Sequence, residues 1–437
     1  MVEIEVEAIG ARGDGVARPP GGAGPVYVPL ALPGDRLRVR LEARRGDGWA
    51  AREVEALARA PRANPACGHF GDCGGCALQH LPTPAYLEWK RRRVVDALAR
   101  RGLAGAVEVV APPRAAPPGS RRRARLRFDG RSRQSGGGGG VRLGFRARAS
   151  HRTVDVRACA VLLPSILALL PPLRRALSGL EFARDGGEAL VTATDGGLDV
   201  LLTAPREPGL ADRERLAAFA AALDLARLAW RREAGTAAEP IAARRAATVG
   251  FGGVAVEPPP GAFLQATAFG EAALREEVLG AVGAGMRLAD LFAGCGALGL
   301  PAAAARGVAL EAFEAEAAMV DALARAARAA GLGQRVRAAA RDLERDPLRP
   351  EELGRFDVVV LDPPRAGARA QSEALAASPV PVVLMASCDP ATFARDARLL
   401  VDGGYVLERV VPIDQFLWSG QVELIATFRR KAPVDST

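Results

Sequence analysis

Polar and apolar residues alternate one by one near the start of the chain. Residues 2–6 and 37–41 follow this pattern, and the short apolar run 26–28 lies between them. A period of two predicts half-buried strands, and the Gly- and Pro-rich stretches between the runs predict tight turns. Residues 1–62 are therefore expected to form a small β-barrel of a kind that often binds nucleic acid, with a generic β module as the plainer alternative.

A different pattern begins at about residue 256, where uninterrupted apolar runs alternate with helix-like segments. This alternation predicts a parallel α/β sheet. The runs interpreted as buried strands are 287–292, 308–310, 356–361 and 382–385. Ligands of open α/β sheets bind outside the carboxyl ends of the strands. We therefore expect one crevice to be surrounded by Asp290, Glu314, Asp362 and Cys388.

A glycine-rich turn follows the first of these strands. Gly294, Gly296 and Gly299 fit the pattern G-x-G-x-x-G, and Glu314 stands 20 residues after the first glycine. Backbone N–H groups in such a turn can approach a ligand, and a carboxylate after the next strand can accept hydrogen bonds from ribose. The motif alone suits NAD, FAD or S-adenosylmethionine. The Asp-Pro-Pro turn and the cysteine at neighbouring strand ends favour a methyltransferase over a dehydrogenase.

Cys388 indicates covalent catalysis on a pyrimidine. Carbon 5 of uracil or cytosine becomes nucleophilic when a thiolate adds to carbon 6, and a base must later remove the proton from carbon 5. Glu423, which opens a final apolar strand, is the candidate base. The plainer alternatives are a buried thiol and an exposed strand charge. Arg365 replaces the aromatic residue that would follow Asp-Pro-Pro if an exocyclic amine were the acceptor.

The composition adds an anionic partner to this picture. Hydrophobic residues make 49% and charged residues 25% of the 437 residues, which excludes a disordered chain, a collagen-like fibre and a disulfide-dense mini-protein. The formal net charge of +9 indicates nucleic acid. Because only Lys90 and Lys431 are lysines, nearly all of the 59 basic residues are arginines, and a biased coding composition explains part of this charge.

Arginine is concentrated in residues 114–152, which hold 12 arginines and a single acid, Asp129. Alternation over residues 123–128 predicts a strand with arginines on one face. The glycine run 136–140 predicts a hairpin tip or a loop. Because opposing acids are absent from the segment, contact with RNA or DNA phosphates is favoured over a merely solvated face.

No segment of the sequence is expected to span a membrane. The most apolar stretch, 162–173, is too short and contains three prolines. The first residues lack the charged and then apolar pattern of a signal peptide. We therefore expect a cytoplasmic protein, without a membrane partner and as a monomer.

Cysteines cluster in a compact segment, residues 63–81. The spacing Cys67-x5-Cys73-x2-Cys76 forms a tight loop, and Cys159 follows 83 residues later. Four thiolates without a required histidine suit either an iron–sulphur cluster or zinc. A helix is expected next, with Thr83 as its cap and Pro84 at its first position.

Together these motifs resemble the RNA uracil-C5 methyltransferases, in the branch that has an N-terminal TRAM domain and a 4Fe–4S cluster. The resemblance covers essentially the whole chain. Its strongest segments are CGHFGDCGGCALQHL (67–81), LGFRARASHRTVDVRAC (143–159), FLQ (263–265), DLFAGCGALGL (290–300), LDPPRAG (361–367), SCDPATFARD (387–396) and GQVE (420–423).

The resemblance implies specific roles for twelve residues. The implied cluster ligands are Cys67, Cys73, Cys76 and Cys159. The implied nucleophile and proton acceptor are Cys388 and Glu423. The implied contacts to S-adenosylmethionine are Gln265, Phe292, Ala297, Glu314, Asp342 and Asp362.

The resemblance also implies an organisation in three parts. Residues 1–62 would be a TRAM-like RNA-binding barrel, residues 63–255 a central α+β iron–sulphur and RNA-binding domain, and residues 256–437 a Rossmann-like methyltransferase domain. The helical segment 84–112 is expected to pack on the last of these. The implied substrate is ribosomal RNA first (23S rRNA in this branch) and transfer RNA second. A cytosine-C5 methyltransferase and a non-catalytic iron–sulphur RNA-binding protein are the alternatives.

The chain departs from the usual family pattern at four positions. This sequence has Thr267 where Asn is common in the family, and Ser120 where Tyr is common. It also has Gln421 in place of a common His, and Leu417 in place of a common Pro.

Overall fold

The chain forms four hydrogen-bonded sheets and nine α-helices within residues 1–19, 24–103, 105, 108–130 and 140–431, the part that this computed structural model describes. The helices are α1 Thr83–Ala99, α2 Pro164–Gly179, α3 Leu210–Ala222, α4 Ala268–Ala281, α5 Gly299–Arg306, α6 Ala317–Ala329, α7 Pro350–Leu353, α8 Arg369–Ala376 and α9 Pro390–Asp402. A 3-10 helix spans Phe182–Asp185. None of these helices is both long enough and apolar enough to cross a membrane.

The first sheet is built from the N-terminal residues. Its strands are β1 Val2–Glu5, β2 Ala8–Ile9, β3 Gly15–Ala17, β4 Val26–Val28, β5 Arg36–Arg45 and β6 Gly48–Ala58, in the spatial order β1-β5-β6-β4-β3-β2. The three strands expected from alternation are confirmed, and their apolar positions form one small core. Within the described ranges no ladder joins β1 to β2, so closure into a barrel stays a prediction.

The second sheet carries the arginine-rich segment. Its strands are β8 Arg123–Asp129, β9 Arg142–Arg146, β10 Thr153–Asp155, β11 Gly187–Thr194, β12 Gly197–Thr203, β13 Arg227–Arg231 and β14 Glu239–Ala243, in the order β10-β9-β8-β11-β12-β13-β14. In β8 the residues Ala124, Leu126 and Phe128 are buried and pack with α2. The predicted alternation of this strand is therefore confirmed. The predicted hairpin tip at 136–140 lies, except for Gly140, outside the described residues.

The third large sheet is the predicted α/β sheet. Its strands are β7 Arg114–Ala115, β17 Arg287–Leu291, β18 Ala309–Glu314, β19 Val336–Ala340, β20 Val358–Leu361, β21 Val382–Ser387, β22 Tyr405–Asp414 and β23 Glu423–Arg430, in the order β19-β18-β17-β20-β21-β23-β22-β7. The five strands from β19 to β21 are parallel, and β23 is antiparallel to both of its neighbours. A separate hairpin pairs β15 Val249–Phe251 with β16 Val254–Val256.

Helices cover both faces of this α/β sheet. Successive residues of one strand belong to different cores: Leu288 packs in one apolar cluster, and Ala289 packs in the other. Val358 and Val359 divide in the same way. Strands buried on both faces explain the uninterrupted apolar runs of the sequence.

Helix α1 packs against this sheet although it is distant in sequence. Val94 and Leu98 belong to the same apolar cluster as the sheet residues beneath α9. The prediction that Thr83 caps the helix is wrong: Thr83 is the first helical residue, and the N-cap, Pro82, makes no side-chain hydrogen bond. Proline in the first turn is tolerated because its missing N–H would have no helical acceptor there. The helix ends at Ala99.

Candidate functional site

The carboxyl edge of the α/β sheet opens into a cavity of about 610 Å³. Eight side chains that the sequence analysis singled out as catalytic or cofactor-binding all line it: Gln265, Phe292, Ala297, Glu314, Asp342, Asp362, Cys388 and Glu423. Asp290, also expected at this edge, lines it too. We call this space the donor cavity.

One end of the donor cavity is formed by the glycine turn after β17. The N–H of Gly294 donates to Glu314 Oε2 at 2.9 Å, and the N–H of Gly299 donates to Asp290 Oδ2 at 2.9 Å. A Cβ at Gly299 would stand 2.6 Å from that same aspartate oxygen, so only glycine allows this approach. Helix α5 begins at this last glycine of the motif. Phe292 has a φ of +59°, which turns the chain sharply out of β17.

The other end of the donor cavity holds the thiol and the candidate base. Strand β23 runs antiparallel to β21, and Ser387 lies opposite Leu424. Continuing this register by one residue places Cys388 opposite Glu423. Cys388 lies just past the end of β21, and Glu423 is the first residue of β23. The antiparallel pairing therefore brings together two residues that lie far apart in sequence.

Two glutamines connect Glu423 to Asp362 through a chain of hydrogen bonds. Gln415 Nε2 donates to Glu423 Oε2 at 2.9 Å and to Gln265 Oε1 at 2.6 Å. Gln265 Nε2 in turn donates to Asp362 Oδ2 at 2.9 Å. The other carboxylate oxygen of Glu423, Oε1, is buried without a hydrogen-bond partner within the described part of the chain. Gln415 was not among the predicted site residues, and no periodic or motif signal distinguishes it.

Burial dominates the electrostatics of this cavity. It raises the pKa of Asp290 to about 7 and that of Asp362 to about 6. The pKa of Glu423 is raised by burial and then by the charge of Asp362. Burial, together with the charges of Glu423 and Asp362, raises the pKa of Cys388 to about 11, while the Arg365 guanidinium opposes this rise. The thiol therefore needs a nearby positive charge to ionise.

A second cavity of about 780 Å³ lies on the other side of Cys388. All four predicted cluster cysteines line it: Cys67, Cys73, Cys76 and Cys159. It is also lined by five arginines, Arg12, Arg93, Arg121, Arg125 and Arg365, and by one acid, Asp389. Of the residues that the structure describes, only Cys388 and Arg365 line both cavities. We call this space the basic cavity.

The four thiols line the basic cavity together, and each lies in a local backbone setting of its own. Cys67 Sγ lies 3.9 Å from Ala158 O, beside Cys159, and the N–H of Gly75 lies 3.4 Å from Cys73 Sγ. Burial raises the pKa of Cys76 to about 11. Among the described residues, no three His, Cys, Asp or Glu side chains stand close enough to form a metal-binding group.

The expectation that the arginines of residues 114–152 lack opposing acids is wrong in the folded protein. At least five of its arginines pair with acids from other parts of the chain: Arg114 with Glu276, Arg122 with Glu271, Arg125 with Glu188, Arg148 with Asp14 and Arg152 with Asp72. A count of charges within one segment could not show these partners. Arg131 and Arg133 lie outside the described residues.

Comparison with known proteins agrees with this architecture. A family model named Conserved hypothetical protein 95 matches residues 272–378. An uncharacterized RNA methyltransferase of Caulobacter vibrioides is 42% identical over 98% of this chain and 100% of its own length. The 23S rRNA (uracil(1939)-C(5))-methyltransferase RlmD of Chromohalobacter salexigens is 40% identical over 98% of this chain and 90% of its own length.

This chain belongs to the RNA uracil-C5 methyltransferase family. A solved structure extends the likeness to the fold: the Pyrococcus abyssi tRNA (uracil-54, C5)-methyltransferase, in complex with S-adenosyl-L-homocysteine, superposes with a TM-score of 0.73 at 20% identity. The alignment covers 98% of this chain and all of that one. The family resemblance predicted from the sequence is confirmed.

The four departures from the family pattern have local structural roles. Thr267 caps α4, since its Oγ1 accepts a hydrogen bond from the N–H of Gly270 at 2.9 Å. Ser120 Oγ donates to Pro117 O at 2.6 Å. Leu417 packs in the apolar cluster that contains Tyr86, and Gln421 lines the basic cavity.

Proposed function

We propose that this enzyme transfers the methyl group of S-adenosylmethionine to carbon 5 of a uridine in 23S ribosomal RNA. The observation that carries the proposal is the meeting of Cys388 and Glu423 in the same cavity as the six predicted cofactor contacts. Relatives named as 23S rRNA uracil-C5 methyltransferases, at 38–40% identity, support the choice of RNA and of base.

The donor cavity fits S-adenosylmethionine by its chemistry. Glu314, held by the N–H groups of Gly294 and Glu316, presents a fixed carboxylate suited to ribose hydroxyls. Asp342, Phe292 and Ala297 would line the adenosine, and Gln265 and Asp362 would lie toward the methionine end. When bound, S-adenosylmethionine supplies an electrophilic methyl group.

Cys388 acts first in the proposed reaction. Its thiolate adds to carbon 6 of the uracil, which forms a sulphur–carbon bond and leaves carbon 5 as a nucleophilic enolate carbon. Arg365, which pairs with Asp389 at 3.4 Å, is the cation that favours the thiolate. After carbon 5 has taken the methyl group, it still carries its original proton.

Glu423 completes the reaction as the base. Its ionised carboxylate removes the proton from carbon 5, the electron pair reforms the double bond, and the bond from carbon 6 to Cys388 breaks. The unpartnered Oε1 is the atom available for this proton, because Oε2 is occupied by Gln415. A buried carboxylate with a raised pKa binds a proton well, and so suits this role.

The target uridine must leave its stack to reach Cys388, at a cost of a few kcal/mol. In our proposal the N-terminal sheet, as a TRAM-like domain, and the arginines of the basic cavity provide compensating phosphate contacts. Residues 63–255 would form the central RNA-binding domain, and residues 256–437, with 84–112 packed against them, the catalytic domain.

The proposal includes a 4Fe–4S cluster in the basic cavity. Four thiols from two distant segments line this cavity, and a 4Fe–4S cluster is held by four thiolates without a histidine. Cys67, Cys73, Cys76 and Cys159 would hold the cluster. Its contribution would be to tie the 67–76 loop to residue 159 and so to fix the shape of the RNA-facing surface.

Mass-spectrometric mapping of 5-methyluridine in ribosomal and transfer RNA, with and without the enzyme, tests the activity. We expect 5-methyluridine to appear in 23S rRNA only when the enzyme is present. Cys388→Ala should abolish methyl transfer while S-adenosylmethionine still binds in a calorimetric titration, and Glu423→Gln should trap an RNA–protein adduct that survives a denaturing gel. Methylation of transfer RNA instead would show that transfer RNA is the substrate, and 5-methylcytidine as the product would show that cytosine is the target base. The absence of cofactor binding would favour a non-catalytic RNA-binding protein.

The cluster has a separate test. We expect anaerobically purified protein to contain iron and sulfide, and Cys159→Ser to lose both. Cys295→Ser is the matched control, since Cys295 is a buried thiol that does not line the basic cavity. Zinc in place of iron and sulfide would contradict the assignment.

A further inference from the structure

Gln415 holds a fixed orientation between two other polar side chains. Its amide nitrogen donates both of its hydrogens, one to Glu423 Oε2 and one to Gln265 Oε1. All three side chains are buried. With Glu423 ionised, a flip of this amide would set its oxygen against Glu423 Oε2 and Gln265 Oε1. In the present orientation the amide oxygen, Gln415 Oε1, is buried without a hydrogen-bond partner among the described residues.

The arrangement leaves one oxygen of Glu423 available. Oε2 is held by Gln415, whereas Oε1 has no partner among the described residues although the side chain lines the donor cavity. A buried oxygen without a hydrogen bond lowers the stability of the folded protein. Its presence beside a cavity indicates an atom that accepts a proton or a hydrogen bond from the substrate. Rotation of the carboxylate would exchange the two oxygens, and the Gln415 hydrogen bond opposes that rotation.

Helix α4 is shaped to admit Gln415. A Cβ at Gly270 would stand 2.7 Å from Gln415 Oε1 and 2.9 Å from Gln415 Cβ. Distances this short require the glutamine to move. Because glycine is otherwise unfavourable within a helix, the space at Gly270 serves the packing of Gln415.

A buried ion pair fixes the residue next to Gln415. Lys90 of α1 is fully buried, and its Nζ donates to Asp414 Oδ1 at 2.9 Å. The hydroxyl of Tyr86 donates to the other oxygen of Asp414 and accepts from the N–H of Trp418 at 2.7 Å. Lys90 also donates to the carbonyl oxygen of Gln421. The segment 414–421 is thus tied at both ends to one helix.

We infer that Gln415 is a positioning residue that holds the Glu423 carboxylate for proton removal, and that the Lys90–Asp414–Tyr86 contact holds Gln415 in place. The inference rests on the proposed function. Gln415 does not touch the reacting atoms in this account. It acts only on the step that Glu423 performs, which is the resolution of the methylated adduct.

Single-turnover kinetics separate that step from the one before it. The covalent RNA–protein adduct is followed on denaturing gels, and its resolution is followed as released 5-methyluridine RNA. We expect Gln415→Leu to form adduct within about threefold of the wild-type rate but to resolve it about 10-fold more slowly or worse, so that adduct accumulates. Gly270→Ala, which removes no polar group, should give the same pattern more weakly.

The pH profile gives a second readout that a merely structural role would not move. Loss of the Gln415 donor removes a hydrogen bond that favours the ionised carboxylate, so the pKa of Glu423 should rise further and adduct resolution should require a higher pH. Gln371→Leu is the matched control: Gln371 is an equally buried glutamine that bonds to the backbone of Leu348. It should leave the partition between the two steps unchanged.

The outcomes are distinguishable. If Gln415→Leu resolves its adduct at the wild-type rate, or slows both steps equally without moving the pH profile, the inference is overturned and the proposed function stands. If Cys388→Ala still methylates RNA at the wild-type rate, the covalent mechanism in the proposed function is overturned and the inference falls with it.

Discussion

The buried pair between Lys90 and Asp414 makes Lys90→Met a strong test of the packing between α1 and the catalytic sheet. Both side chains are almost completely inaccessible, at 0% and 1% exposure. Methionine keeps most of the lysine volume but leaves the buried Asp414 carboxylate with the Tyr86 hydroxyl as its one side-chain partner among the described residues. Removing one partner of a buried pair typically costs about 3–5 kcal/mol. For a cooperative unit of about 200 residues, this lowers the melting temperature by roughly 10 °C.

Differential scanning calorimetry with a double-mutant cycle measures this loss. Arg92→Met is the matched control on the same helix, since its pair with Glu88 is exposed and worth about 0.3–0.5 kcal/mol. Lys90→Met combined with Asp414→Asn should recover most of the loss, because it removes the stranded charge and keeps an acceptor for Tyr86. The Lys90–Asp414 pair does not stabilise the fold in this way if Lys90→Met has the same melting temperature as the Arg92→Met control. The same conclusion holds if the double variant is no more stable than Lys90→Met alone.

Two further predictions concern titration. Burial raises the pKa of Asp290 to about 7 in the folded protein, above the unfolded value near 3.8. The stability that this group contributes is therefore fully present below pH 3.8 and is lost as the pH rises through about 7. Asp290→Asn should flatten the pH dependence of the melting temperature of the ligand-free protein over this window, and an unchanged slope would contradict the prediction. Arg365→Ala should raise the pKa of Cys388 above about 11 and slow adduct formation about threefold at about pH 8. Arg365→Lys keeps the positive charge and should react at close to the wild-type rate. Equal rates for the two variants would show that the charge of Arg365 does not favour the thiolate.

Much of the cofactor side of the site could be predicted from the sequence. Parallel strands all end at the same edge of a sheet, so strand ends recognised by their apolar runs must converge there. Asp290, Glu314 and Asp362 follow from this rule alone. The glycine turn adds its own signature, because only glycine allows the backbone to approach Asp290 so closely.

The reaction side was less accessible to such reasoning. Glu423 begins a strand that runs against its neighbours, and only the observed register places it opposite Cys388. The chemistry of carbon-5 methylation called for a base near Cys388 and made Glu423 a candidate, and the family resemblance implied the same residue. Gln415 and Lys90 carry no local signal, because their partners are set by tertiary packing. Lys90 meets Asp414 where α1 packs on the end of β22, and Gln415 meets Glu423 and Gln265 from two other segments. The arginine pairs with distant acids were missed for the same reason.

The two cavities have a consequence for the kinetic order of the enzyme. Cys388 borders both spaces in the described structure, whereas Glu423 lines only the donor cavity, so in the proposed reaction a uracil held between them shares the donor cavity with the cofactor. Both substrates should therefore be bound before the methyl group moves, and initial-rate kinetics should give intersecting rather than parallel double-reciprocal lines.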